Sequence, residues 1–264
     1  MKLTVLMENT AADPSLLAEH GLSLYIETEG LGILFDMGQT DGFVTNAERM
    51  GVDLSRVDLA VLSHGHYDHG GGLSAFWQVN QTAPVYIHET AFGEYFNGKE
   101  EYIGLDPCDK THPRIILTQG ERVLAPHVRL FDGNELVRTY GTDPYGLKKQ
   151  QGTKRVADDF AHEQYLVIEE QGKRILVSGC SHKGILNLME WVNPHVVIGG
   201  FHFMKLDPTN PDHQATLDLA TATLQDYDCT YYTCHCTGEE PFAYCKQTMG
   251  EAVTYIRAGD RLEL

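Results

Sequence analysis

Short apolar runs, separated by turns rich in Gly, Asp and Pro, dominate the chain. Residues 2–7, 22–28 and 32–36 read as strands, and residues 40–50 carry the mixed spacing of a helix that stops at Gly51. Residues 57–62 read as a strand, and its unbroken apolar part, Leu59 to Leu62, is as expected of a strand buried on both faces. A helix around Trp77 and a strand over 84–88 follow, after which the pattern weakens between Glu89 and Pro113. Strand patterns return at 114–117, 128–130, 165–169, 174–178, 195–199 and 230–233, with helical intervals near 184–192 and 212–226. The segment 139–158, rich in Gly, Pro, Lys and Gln, reads as a mobile loop. Alternating strands and helices in two half-domains predict an α/β protein, a sandwich of two sheets with helices outside, built as one domain over 1–264.

Composition narrows the class. With 42% hydrophobic residues in 264, the chain can bury a large core. No apolar stretch approaches the roughly 20 residues that a membrane span needs. The opening Met1-Lys2-Leu3-Thr4-Val5-Leu6-Met7 is a strand-like run too short for a signal peptide, so a soluble, cytoplasmic protein is expected. The six cysteines lack the spacing of a disulfide scaffold and are expected to be reduced. A formal charge of −17 argues against a nucleic-acid partner, because a phosphate backbone needs a basic face. The pattern points to a small-molecule substrate and does not define an oligomeric state.

Residues 63–72 read Ser-His-Gly-His-Tyr-Asp-His-Gly-Gly-Gly, directly after the apolar run Leu59-Ala60-Val61-Leu62. His64, His66, Asp68 and His69 place three imidazoles and a carboxylate at a strand end, and glycines let the backbone fold them around ions. Zinc is the first expectation, with iron or manganese as alternatives. The segment resembles the His-x-His-x-Asp-His signature of the metallo-β-lactamase superfamily, whose fold is an αββα sandwich holding two metal ions at its edge. The resemblance implies that His64 and His66 serve one divalent ion, and Asp68 and His69 the second. It also implies that His66, standing where oxygen-reducing relatives often carry Glu, favours a hydrolytic centre.

The second half offers further ligands. Residues 162–180 read as a hairpin with His162 at its entrance and Cys180 at its exit. Within the resemblance, His162 matches the third-motif histidine, although His182 competes with it, and Cys180 stands where Gly-Asp is usual. A thiolate is a sound zinc ligand, which makes Cys180 a metal candidate; a small buried residue at a strand end is the alternative. His235, in Thr233-Cys234-His235-Cys236-Thr237-Gly238, resembles the family's final histidine; a Cys-His-Cys zinc knuckle is the rival, disfavoured because side chains one residue apart diverge. Asp36, ending the run Ile33-Leu34-Phe35, resembles the family's first-motif aspartate, which orients a ligand from behind; a turn cap is the alternative. His202, in Gly199-Gly200-Phe201-His202, is a candidate for substrate contact or proton transfer.

These motifs together are similar to the dihydropterin ribofuranosyl-aminobenzene phosphate synthase-like subgroup. Three readings follow. The first is a hydrolase with two divalent ions that attacks an ester, lactone, amide or phosphoester, with Asp68 orienting water and His182 or His202 protonating the leaving group. The second is a pterin-type synthase or transferase using the same ions, with Tyr67, Phe201 and Phe203 as stacking candidates. The third is a metal-holding binding protein without turnover. Lys148, Lys149, Lys154 and Arg155 either recognise an anionic substrate or form a solvated face.

Overall fold

The computed structural model describes residues 1–264. The chain gathers into two compact units. The first comprises Met1–Gln119, Pro144–Gln164 and Arg257–Leu264, and the second Gly120–Asp143 and Tyr165–Ile256.

The first unit is built on a seven-stranded sheet in the order Arg261–Glu263, Lys2–Met7, Ser23–Thr28, Leu31–Phe35, Leu59–Val61, Val85–His88, Ile115–Thr118. The joints from Arg261–Glu263 to Leu31–Phe35 are antiparallel, and those from Leu31–Phe35 onward are parallel. Parallel strands need crossovers, and two of these are the helices Gly42–Met50 and Leu73–Val79. Their Phe43, Ala47, Leu73 and Phe76 share one core with Leu34, Ala60 and Val85 of the sheet and with Leu62 just beyond it. The strand Leu59–Val61 is buried at every residue, as its unbroken apolar pattern requires.

The second unit carries its own seven-stranded sheet, ordered Val253–Tyr255, Thr230–Thr233, Val196–Ile198, Lys173–Val177, Tyr165–Glu170, Val128–Phe131, Arg122–Ala125. The first three joints are parallel and the remainder antiparallel. Helices Ile185–Val192, Pro211–Gln225 and Glu239–Met249 alternate with the parallel strands. Pro211–Gln225 begins as such helices do: the Asn210 side chain accepts the Asp212 N–H at 2.9 Å, with Pro at the first helical position.

One expectation is overturned. Within 139–158, Lys148–Gln151 and Lys154–Ala157 form an antiparallel hairpin, and Tyr95–Phe96 completes a three-stranded sheet. The turn between them has Gly152 at φ +60°, the conformation that a two-residue hairpin loop asks of its first residue. The Arg155 guanidinium lies 3.5 Å from the Phe96 ring centroid, and Glu100 pairs with both Lys148 and Arg155. Cross-strand contacts of this kind hold together a polar hairpin that lacks an apolar stripe.

Candidate metal centre

In the first unit, Asp36 and Ser63 leave the carboxyl edge of two adjacent parallel strands, and Asp36 N–H donates to Val61 O at 2.9 Å. Asp36 adopts φ +60°, a left-handed conformation that Asp tolerates better than most residues. Its carboxylate turns toward the histidine loop. Oδ1 accepts the Ser63 N–H at 2.7 Å, while Oδ2 accepts the Ser63 hydroxyl at 2.7 Å and lies 2.7 Å from His69 Nδ1. Because the Ser63 hydroxyl gives its proton to Asp36, its oxygen is left to accept from His64 Nδ1, 2.8 Å away. Both imidazoles therefore carry their proton on Nδ1 and keep a lone pair on Nε2, as a metal-binding histidine requires. Asp36, Ser63, His64 and His69 are all buried.

The loop then enters a single helical turn, Tyr67–Gly70. A Cβ on Gly65 would run into the carbonyl of Ala91, so only glycine fits between His64 and His66. The ring centroids of His64 lie 4.5 Å from those of His66 and 4.1 Å from those of His69. Asp68 Oδ2 lies 3.6 Å from His69 Nε2 and 3.3 Å from Nε2 of His20, a partner that the motif did not announce. Burial, with the neighbouring His162 adding to it, pushes His66 down to about 3, so its imidazole is neutral near pH 7.

His162 sits against the same loop. Its Nδ1 accepts the Gly65 N–H at 2.9 Å, and its Nε2 lies 3.1 Å from Asp158 Oδ2. Burial alone would raise the Asp158 carboxyl, but the hydrogen bonds from His162 and from the Phe160 N–H hold it below the usual carboxylate range. Ligand atoms of His66, Asp158 and His162 all lie within 4.8 Å of one another.

In the second unit, the strands Lys173–Val177, Val196–Ile198 and Thr230–Thr233 run parallel in register, so the loops that follow them emerge at one sheet edge. These loops carry Cys180 and His182, then His202, then His235. Ser181, His202 and His235 adopt φ +59°, +58° and +49°, so each loop turns through a left-handed residue that is not glycine. Hydroxyls hold the loops together. Ser178 and Ser181 Oγ are 2.8 Å apart, Ser181 donates to Gly200 O at 2.6 Å, and Thr237 Oγ1 accepts the Phe201 N–H at 2.8 Å. Cys236 Sγ lies 3.3 Å from Cys180 O, and the rings of His182 and His202 pack edge to face at 4.2 Å. Cys180, His182 and His235 are buried.

The first unit thus collects His64, His66, Asp68, His69, His162 and Asp36, and the second collects Cys180, His182, His202 and His235. The donors of the first unit, imidazole nitrogens and a carboxylate gathered in a buried loop at a strand end, are of the kind a divalent ion takes. In the basic cluster, Lys148 and Arg155 pair with Glu100, and Lys149 with Asp159 at 2.5 Å. Phe201 is buried, and its ring packs edge to face with those of Phe203 and Tyr231. Ser63, Asp158 and His20 were not singled out in the sequence. Ser63 had one available signal, its place between a buried strand and the first histidine.

The sequence model of the Metallo-beta-lactamase superfamily matches residues 17–133. The protein MJ0448 of Methanocaldococcus jannaschii is 29% identical over 246 residues, covering 89% of this chain and 90% of its own length. From the same organism, 7,8-dihydropterin-6-methyl-4-(beta-D-ribofuranosyl)-aminobenzene-5'-phosphate synthase is 29% identical over 214 residues, 72% of this chain and 73% of that protein. Among solved structures, Tm1679, described as a metal-dependent hydrolase of the beta-lactamase superfamily, superimposes with a TM-score of 0.83 at 26% identity, covering all of this chain and 99% of its own. No helix is long and apolar enough to cross a membrane.

Proposed function

We propose that this member of the metallo-β-lactamase superfamily is a metal-dependent hydrolase whose histidine loop holds divalent ions, zinc first, for attack on an ester, lactone, amide or phosphoester. The observation that carries this reading is the Asp36–Ser63 network, which holds His64 and His69 by their Nδ1 atoms and orients both rings beside His66 and Asp68. Bound divalent ions supply a Lewis acid that polarises a carbonyl or phosphoryl oxygen and makes water acidic near neutral pH. The protein's own groups do the rest. Asp36 and Ser63 keep the imidazoles in one tautomer, and burial of the loop limits competing water. Asp68, partly reached by solvent and close to His20 and His69, accepts a proton from the attacking water and orients it. His182 and His202 are the candidates for protonating the leaving group. Cys180 and His235 are proposed as further donors on the strength of the resemblance.

A second reading, a synthase that uses the same ions to activate the pyrophosphate leaving group of a phosphoribosyl donor, is favoured by the 29% identity to the archaeal synthase. Metal-loaded protein assayed against a panel of esters, lactones, amides and phosphodiesters separates the two. Turnover with loss of activity in Asp68→Asn supports the hydrolase. Absence of hydrolysis together with pyrophosphate release from a phosphoribosyl donor supports the synthase.

A further inference from the structure

The hydrogen bonds of His162 assign it a single protonation pattern. An acceptor of the Gly65 N–H must present a lone pair, so Nδ1 carries no proton and a neutral ring bears its proton on Nε2. That proton faces Asp158 Oδ2 at 3.1 Å, and Asp158 Oδ1 is occupied by the Phe160 N–H at 2.8 Å. The Tyr95 ring lies over His162 with centroids 4.0 Å apart, and its hydroxyl is tied to Thr90 O at 2.6 Å. His162 and Asp158 are buried. To bind an ion through Nε2, the ring would have to become an imidazolate or abandon Gly65.

We propose that Asp158 and His162 form a positioning pair that holds the histidine loop by the Gly65 amide, between His64 and His66, and that His162 is not itself an ion ligand. The proposal rests on the metal-binding reading above. It competes with ligation by His66, Asp158 and His162, whose ligand atoms lie within 4.8 Å of one another.

Glutamine separates the two. Its amide carries an acceptor for the Gly65 N–H and a donor for Asp158, yet it is a poor zinc ligand, whereas leucine offers neither. The experiment is metal titration and cobalt(II) absorption of wild type, His162→Gln, His162→Leu, Asp158→Ala and the double variant. The imidazole tautomer of His162 is read by ¹⁵N NMR in wild type, with and without metal. The expected result is that His162→Gln keeps the wild-type metal equivalents and cobalt spectrum, while His162→Leu and Asp158→Ala each weaken affinity about 10- to 100-fold without losing an equivalent at saturation. The double variant loses no more than either single one, because both act through the same contact. The NMR is expected to show the proton on Nε2 in both states. Loss of an equivalent or an altered cobalt spectrum in His162→Gln, or a proton on Nδ1 in the loaded protein, overturns the proposal. A wild type that takes up no metal defeats the functional reading instead. The metal-free tautomer then decides the pair alone, with Nε2–H supporting it and Nδ1–H overturning it.

Discussion

The histidine loop of the first unit and the three loops at the sheet edge of the second are held in place by different chemistry. In the first unit a fully buried carboxylate, Asp36, receives two protons from Ser63 and one from His69, and those bonds fix ring tautomers as well as backbone. In the second, the neutral hydroxyls of Ser178, Ser181, Thr233 and Thr237 bridge backbone turns through left-handed residues. A charge-assisted hydrogen bond is roughly twice as strong as a neutral one, and a buried carboxylate cannot lose one donor without cost. The first loop is therefore expected to be rigid and intolerant of change, and the second set more forgiving.

Mutation sharpens the contrast. Replacing the buried carboxylate, Asp36→Ala, is expected to have the largest effect, about 3–5 kcal/mol of stability in urea unfolding of metal-free protein, since three donors lose their acceptor. Metal affinity should fall about 10- to 100-fold as the rings of His64 and His69 lose their orientation. Ser63→Ala comes next, at about 2 kcal/mol, because it removes the link from His64 to Asp36 but leaves His69 in place. In the second unit, Ser181→Ala is expected to cost about 1 kcal/mol by the same measurement. Equal losses for Ser63→Ala and Ser181→Ala would remove the distinction between the two regions. The smallest effect is expected from Glu100→Gln, the ion-pair partner of the exposed hairpin, where the thermal midpoint should not move measurably, because surface ion pairs contribute little.

How far these regions could be read in the sequence follows from where their information lies. Runs such as Leu59-Ala60-Val61-Leu62 show their burial locally, and the six residues His64 to His69 carry most of their donors in one segment. Asp36 was legible as a carboxylate at a strand end, because the parallel neighbour delivering the histidines is buried in the same way. Asp158 was not legible. Its partner His162 lies four residues on in an irregular segment, and nothing local says that Phe160 turns through φ +57° to bring them together. His20 reaches Asp68 across 48 positions of chain with no motif around it. The hairpin around Gly152 looks like a loop because its stability comes from cross-strand pairing and from Glu100, about fifty residues earlier.

The most direct test of the account is elemental analysis of protein purified without chelator, run for wild type, His66→Ala and Cys180→Ala. About two equivalents of divalent metal per chain are expected in wild type, reduced in His66→Ala by loss of a buried neutral imidazole from the loop. A decrease in Cys180→Ala would make that thiol a metal ligand. Wild type that holds no metal after exposure to zinc, iron and manganese, or a His66→Ala variant with undiminished metal, would contradict the account.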